Sequence, residues 1–257
     1  MKNVLIGFTV AVVLAAGAHA AGPTGQEIIA AVDAGRNPGQ GFRVVDNLVE
    51  YVGGQARNSM QIIVFVNQNK ATHQYNNLVR YVLPARDAGK MVLFNGSNMW
   101  FYDPSSKASV RISPQQRLLG QASNGDVATV NLAKDYTATL LGEETLQDAD
   151  KQNRACWHLE LKAATDEAVY SKVEYWVEKG TYHQIKGKFF SDSGRLLKIA
   201  YYHKFAPMLG RQIPAETIVI DSVNTNLVTT MAISDMRAQD VPDSWFQRDF
   251  LPRLKIE

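Results

Sequence analysis

Residues 156–163 read Cys-Trp-His-Leu-Glu-Leu-Lys-Ala. In an extended chain Trp157, Leu159 and Leu161 fall on one side, and His158, Glu160 and Lys162 on the other. Residues 171–177 repeat the scheme, with Val173, Tyr175 and Val177 opposite Lys172 and Glu174. Alternation with a period of two is the mark of a β-sheet with one wet face and one apolar face. From about residue 59 to residue 237 such segments follow one another with little helix between them. So much sheet with so little helix to cover it points to a protein that holds something apolar.

Strands are expected at 136–144, 155–163, 171–177, 182–191, 195–205, 214–223 and 227–236. Their turns lie at Glu178-Lys179-Gly180, Asp192-Ser193-Gly194 and Asn224-Thr225-Asn226. Upstream, 42–52 and 59–69 form a hairpin about Gly53-Gly54. Met60, Ile62, Val64 and Val66 interleave with Ile63 and Phe65, so this strand is apolar on both faces and belongs inside the sheet. A meander of 75–83, 91–94, 99–102 and 108–112 follows, with Asn95-Gly96 as a tight turn. Thr24-Gly25-Gln26-Glu27 has the pattern of a capping box and predicts a helix over 25–34. Pro242 to Phe246 reads as one helical turn that docks Trp245 and Phe246.

Residues 114–135 break the rhythm. Residues 115–120 and 127–132 are candidates for short helices or a lid loop, with Leu118, Leu119, Val127, Val130 and Leu132 as apolar contacts. Two readings stand: a surface crossover between parts of the sheet, or a mobile cover over an apolar cavity.

The chain has 257 residues, 46% hydrophobic and 20% charged, with a formal net charge of +2. That suits a globular protein with a real core, and no basic cluster points to nucleic acid. Lys2, an apolar run over 4–16 and Ala18-His19-Ala20 read as a cleaved signal peptide over 1–20, the alternative being a retained membrane anchor. Residues 21–257 then form a single domain, since no linker or composition break appears. Cys156 is the only cysteine, so no internal disulfide can form, and it reads as a small buried filler. The expected location is the periplasm, as a soluble protein without a lipid anchor.

The chemistry-bearing residues form no pattern. His73, His158, His183 and His203 lie in or beside strands without metal-ligand spacing, so no metal or cofactor is expected. No Gly-x-Ser-x-Gly elbow and no phosphate-binding glycine loop occurs. Glu143, Glu144, Asp148 and Asp150 read as solvated loop charges, although a carboxylate pair close only in space would escape a reading of the sequence. Trp100, Trp157 and Trp176 could stack on sugars, but in strands such residues are usually core. A transmembrane barrel is disfavoured by the capped helix, the irregular centre and the absence of aromatic girdles. No catalytic residue is assigned.

Tyr81-Val-Leu-Pro-Ala-Arg-Asp-Ala-Gly-Lys90, Asn98-Met-Trp-Phe-Tyr-Asp-Pro104 and Val110-Arg-Ile-Ser113 resemble, in order and spacing, the outer-membrane lipoprotein-sorting (LolA-like) carriers. The match continues through Leu140-Leu-Gly-Glu-Glu144, Tyr170-Ser-Lys-Val173, Trp176-Val177, Asp192-Ser-Gly-Arg-Leu-Leu-Lys198 and Val241-Pro-Asp-Ser-Trp-Phe246. At 124–132 the chain departs from the family pattern. The resemblance implies a mainly β fold: an unclosed antiparallel half-barrel with helices covering its concave face. It also implies a non-enzymatic periplasmic carrier of lipid or lipoprotein acyl chains with only transient membrane contact, which in some members works beside a transporter of the resistance-nodulation-division type. A sensory module on the same fold, which binds a lipidated ligand and signals to a protein partner, is the alternative. The expected cavity lining is Trp157, Leu159, Leu161, Val173, Tyr175, Val177, Leu197, Ile199 and Tyr201.

Overall fold

The computed structural model describes residues 22–254. The expected signal peptide, 1–20, lies outside the described residues. The capping box forms: Thr24 N donates to Glu27 Oε2 at 2.8 Å, and Glu27 N donates to Thr24 Oγ1 at 3.2 Å. It starts helix α1, Gly25–Arg36, whose Ile28, Ile29 and Val32 are buried.

The strands are β1 (Phe42–Val52), β2 (Gln55–Gln68), β3 (Tyr75–Leu83), β4 (Met91–Asn95), β5 (Asn98–Asp103) and β6 (Ala108–Ile112). After a small hairpin of β7 (Arg117–Leu119) and β8 (Ala122–Ser123) come β9 (Tyr136–Gln147), β10 (Asn153–Ala163), β11 (Lys172–Glu178) and β12 (Gln184–Phe190). The last are β13 (Leu196–Met208), β14 (Arg211–Asp221) and β15 (Leu227–Ala238). Apart from the small hairpin, they make one 13-stranded sheet in the order β6-β5-β4-β3-β2-β1-β15-β14-β13-β12-β11-β10-β9. The sheet is antiparallel throughout and is not closed: β6 and β9 are its two edges.

The alternation in the sequence sets the two faces. Leu48, Ile62, Val64, Val79, Leu159, Leu161, Val173 and Val219 join α1 in one apolar cluster on the concave face. The opposite face of β2–β5 carries Phe65, Leu78, Met91 and Leu93, which would be exposed if the chain stopped at β15. Instead two short 3₁₀ turns, Asp243–Phe246 and Arg248–Arg253, lay Phe246 and Leu251 over them. Trp245 meets Phe65 edge-on at 5.3 Å between ring centroids. β2 is therefore apolar on both faces for two separate reasons: it faces the main core inward and the C-terminal turns outward.

The convex face of β9–β12 has a smaller cluster of Cys156, Trp176 and Ile185. Burial there pushes the Cys156 thiol up to about 12, which keeps it protonated and inert. His158 stacks on Trp176 with ring centroids 4.2 Å apart.

The segment between β6 and β9 leaves one edge of the sheet and arrives at the other, so it has to cross the concave face. Of the short helices or loop expected there, the structure shows little helix. Residues 117–119 are a strand, Asn124–Val127 is a 3₁₀ turn, and only Leu132–Asp135 is α-helical (α2, one turn). Close approach to the sheet is the cause. Gly120, at φ +53°, turns the hairpin so near the sheet that a Cβ there would collide with Thr229 Oγ1. Gln121 N donates to that hydroxyl at 2.8 Å.

Phe246 is 1% exposed. Phe246→Ala should destabilise the fold by roughly 3–5 kcal/mol, read as a lowered urea midpoint.

Candidate functional site

The concave face is lined by apolar side chains wherever strands alternate regularly, and α1 and the crossover cannot fill it completely. Two adjoining lobes remain, of about 110 Å³ and about 160 Å³. They share Arg36, Asp126, Ala128, Tyr202, Thr217 and Met231 as walls. The first lobe lies against Leu161, Val173, Tyr175, Phe189 and Ala200. The second lies against Phe42, Val44, Ile213, Ile233 and Met236.

Trp157, Leu159, Leu161, Val173, Tyr175 and Val177 all lie in the concave cluster, and Leu161, Val173 and Tyr175 face the first lobe. Burial raises the Tyr175 hydroxyl to about 12, so it stays neutral. In β13 the expected facing is corrected. Phe189 pairs with Lys198 and Phe190 with Leu196, so Leu197 sits in a bulge, from which it still packs on the cluster. Beyond the bulge Lys198, Ala200 and Tyr202 face the cavity. Ile199 and Tyr201 lie on the convex face, where Lys186 sits over the Tyr201 ring at 5.4 Å. By sequence alone the more apolar set should face inward. A partner for the lysine reverses this.

That partner is in the crossover. Lys198, 5% exposed, forms an ion pair with Asp126 and donates to Ser123 Oγ at 3.2 Å. Tyr170 donates its hydroxyl to Asp126 Oδ1 at 2.7 Å, and Ser123 N donates to Asp126 Oδ2 at 2.7 Å. Burial, with Asp126 beside it, holds the Tyr170 phenol well above its ordinary range. A second pair joins the crossover to α1. Arg36 Nη2 lies 2.9 Å from Asp33 Oδ1 and also donates to Val130 O at 2.8 Å. Ala133 N donates to Asp33 Oδ2 at 2.7 Å. On β3, Asn77 clamps Thr129 through both its amide group and its carbonyl, at 2.9 and 2.7 Å.

The apolar residues of the crossover lie along the concave face. Leu118, Leu119, Val130 and Leu132 pack on the concave cluster, and Val127 is buried within it. Val130 and Leu132 close the first lobe, and Val127 the second. The polar clamps, by contrast, escape a reading of the sequence. The only signals are an Asn124-Gly125-Asp126 turn and a lysine out of phase in β13.

Two acids remain in the cavity wall: Asp135, which accepts hydrogen bonds from Gln74 Nε2 and Thr165 Oγ1, and Asp46. Asp46 points inward from β1 between Ile62 on β2 and Ile233 on β15, and lines the second lobe. It is 9% exposed, and burial alone raises its carboxyl to about 6. No described residue gives it a hydrogen bond or an ion pair. Among the described residues no cluster of His, Cys, Asp and Glu could hold a metal ion.

An open antiparallel sheet with an apolar concave face under a pinned crossover defines a fold of the half-barrel class. Comparison with known proteins gives the family. The LolA superfamily protein of Nitrosomonas europaea is 32% identical over 89% of this chain and 99% of its own, with a TM-score of 0.77. The chain belongs to the LolA superfamily. Two further solved structures share the fold. A DUF1329 family protein of Desulfovibrio piger has 20% identity and a TM-score of 0.74, over 88% of this chain and 97% of its own. A Vibrio parahaemolyticus domain described as an outer membrane lipoprotein-sorting protein has 18% identity and a TM-score of 0.74, over 89% and 98%. A family model described only as "Uncharacterized protein"-like matches residues 73–253. No curated protein sequence matches the chain.

The unpaired Asp46 has a consequence for stability. Its folded-state pKa, about 6, lies above the ordinary 3.8. Its folded form therefore binds the extra proton between those values, and the stability present below about pH 4 is lost as pH rises through about 6. Asp46→Asn should raise stability by roughly 2–3 kcal/mol at about pH 7.5 and by only about 1 kcal/mol at about pH 4.5. Urea midpoints of both proteins at the two pH values check this.

Proposed function

We propose that the protein is a periplasmic carrier that draws an acyl chain of a lipid or lipoprotein into the concave cavity, shields it from water and releases it at a second membrane. The observation that carries this reading is the two-lobed apolar cavity beneath a crossover held mainly by polar clamps. Membership of the LolA superfamily supports it, and so does the name given to the Vibrio domain. Each buried methylene is worth about 0.8 kcal/mol, so a chain of about sixteen carbons is held in a membrane by roughly 12 kcal/mol at most. A carrier lowers that barrier by offering apolar wall in place of water.

The size of the cavity sets the mechanism. Lobes of about 110 and 160 Å³ match a small ring, not a full chain. Entry of a chain therefore displaces the crossover, which acts as the lid. Its grip suits that task. Buried polar clamps break for water when the segment lifts, while Leu118, Leu119, Val127, Val130 and Leu132 exchange one apolar contact for another with the chain. Residues 21–257 act as one carrier domain, exported by 1–20. No described helix is long and apolar enough to cross a membrane. The chemistry is binding and release, with no catalytic step, and an inner-membrane transporter of the resistance-nodulation-division type is the partner that the family resemblance suggests.

Mass spectrometry of protein isolated from its own periplasm should find an acyl lipid near one per chain. Ala200 lines the first lobe at 3% exposure. Ala200→Phe fills that lobe and should lower uptake of a fluorescent acyl ester at least about tenfold, with the melting temperature kept within a few degrees. Unchanged uptake by a folded Ala200→Phe protein counts against the reading.

A further inference from the structure

Two cations line the concave side, Lys198 buried and Arg36 partly so, and each has its own carboxylate. Arg36 is paired with Asp33, and Lys198 with Asp126. Asp46 is left over. It is nine-tenths buried, it faces the second lobe, and its strand neighbours at that level are Ile62 and Ile233. The charged groups that share the lobe with it are Arg36 from α1 and Asp126 from the crossover, and both are already engaged. A buried carboxylate without a partner is costly, and the cost is relieved by a cation or a strong hydrogen-bond donor brought into the same cavity. Around it Phe42, Val44, Met231, Ile233 and Met236 offer hydrocarbon and thioether surface, while Gln184, Tyr202 and Thr217 add polar groups to the same lobe.

We propose that the second lobe is a head-group subsite in which Asp46 receives the protonated amine of an amphiphile whose apolar part lies against β1 and β15. This rests on the carrier reading and deepens it by naming the class of cargo: a chain that carries an ammonium group close to its apolar end. The carboxylate, nine-tenths shielded from solvent, accepts the ammonium hydrogen bonds, and such charge-assisted bonds are stronger than neutral ones. A fatty acid would set a second carboxylate beside Asp46, and an alcohol would supply a hydrogen bond without the charge. The subsite thus ranks chains by their heads, while the first lobe accepts apolar length.

Isothermal titration of the full mature protein with decylamine, decanol and decanoate at about pH 8 tests the proposal. Decylamine should bind at least about tenfold more tightly than decanoate and several-fold more tightly than decanol. Asp46→Asn should abolish the preference for the amine and leave decanol affinity within about twofold. A wild-type protein that binds decanol as tightly as decylamine overturns the subsite while leaving the carrier reading intact, as does an Asp46→Asn protein that keeps the preference. Failure of all three ligands to bind overturns both. The comparison among ligands on the wild-type protein stands on its own if the variant fails to fold.

Discussion

A buried ammonium group cannot remain without a counter-charge, and Lys198 is an ammonium in the wall of an apolar cavity. Its counter-charge, Asp126, is not on the sheet but on the segment that crosses over it. The facing of β13, the path of the crossover and the closure of the cavity are thereby tied to one another. With Lys198 turned inward, Ala200 and Tyr202 follow it into the cavity and Ile199 and Tyr201 are turned out. With Asp126 drawn down to it, Ser123 and Tyr170 complete a network in which each polar atom has a partner. A fully satisfied buried network fixes one geometry more sharply than hydrocarbon contacts do.

The crossover is pinned on α1 through Asp33 and Arg36, on β3 through Asn77, on β13 through Lys198 and on β15 through Thr229. These clamps have direction and break together with solvation, whereas the leucines and valines beneath them are interchangeable with any hydrocarbon. On the carrier reading proposed above, such a cover would be indifferent to the detailed shape of an apolar guest, and selectivity would fall to the few polar groups that face the cavity, Asp46 among them.

Much of this was legible in the sequence. Strict alternation in 156–163 and 171–177 placed Trp157, Leu159, Leu161, Val173, Tyr175 and Val177 in the concave cluster. The capping box set the start of α1, and the doubly apolar β2 anticipated two covered faces. What failed did so for definite reasons. A bulge at Leu197 shifts the phase of β13, and a bulge leaves no mark in the pattern when both candidate faces hold apolar residues. The irregular mixture of Leu, Val, Gly and Asn in the crossover has no period, so short helices and a loop fit its sequence equally well. Its conformation is dictated by partners more than 40 residues away in the chain, such as Asn77, Thr229 and Lys198. Asp46 went unnoticed because a single acid in an amphipathic strand looks solvated until the partner strands on either side are known.

One feature of the topology bears on how the chain folds. Every neighbouring pair of strands in the sheet is also consecutive in sequence except β1 and β15, which join Phe42 to Ala238 and Val52 to Leu227. As the chain is synthesised from its N-terminus, β1 through β6 can pair among themselves, but the outer side of β1 has no mate until the final strand arrives. The loop that closes at that step spans most of the protein, and its entropic cost grows only with the logarithm of its length, so the obstacle is one of search time. During that wait β1 is a bare edge, a place where a holdase chaperone would protect the half-made sheet from pairing with another chain.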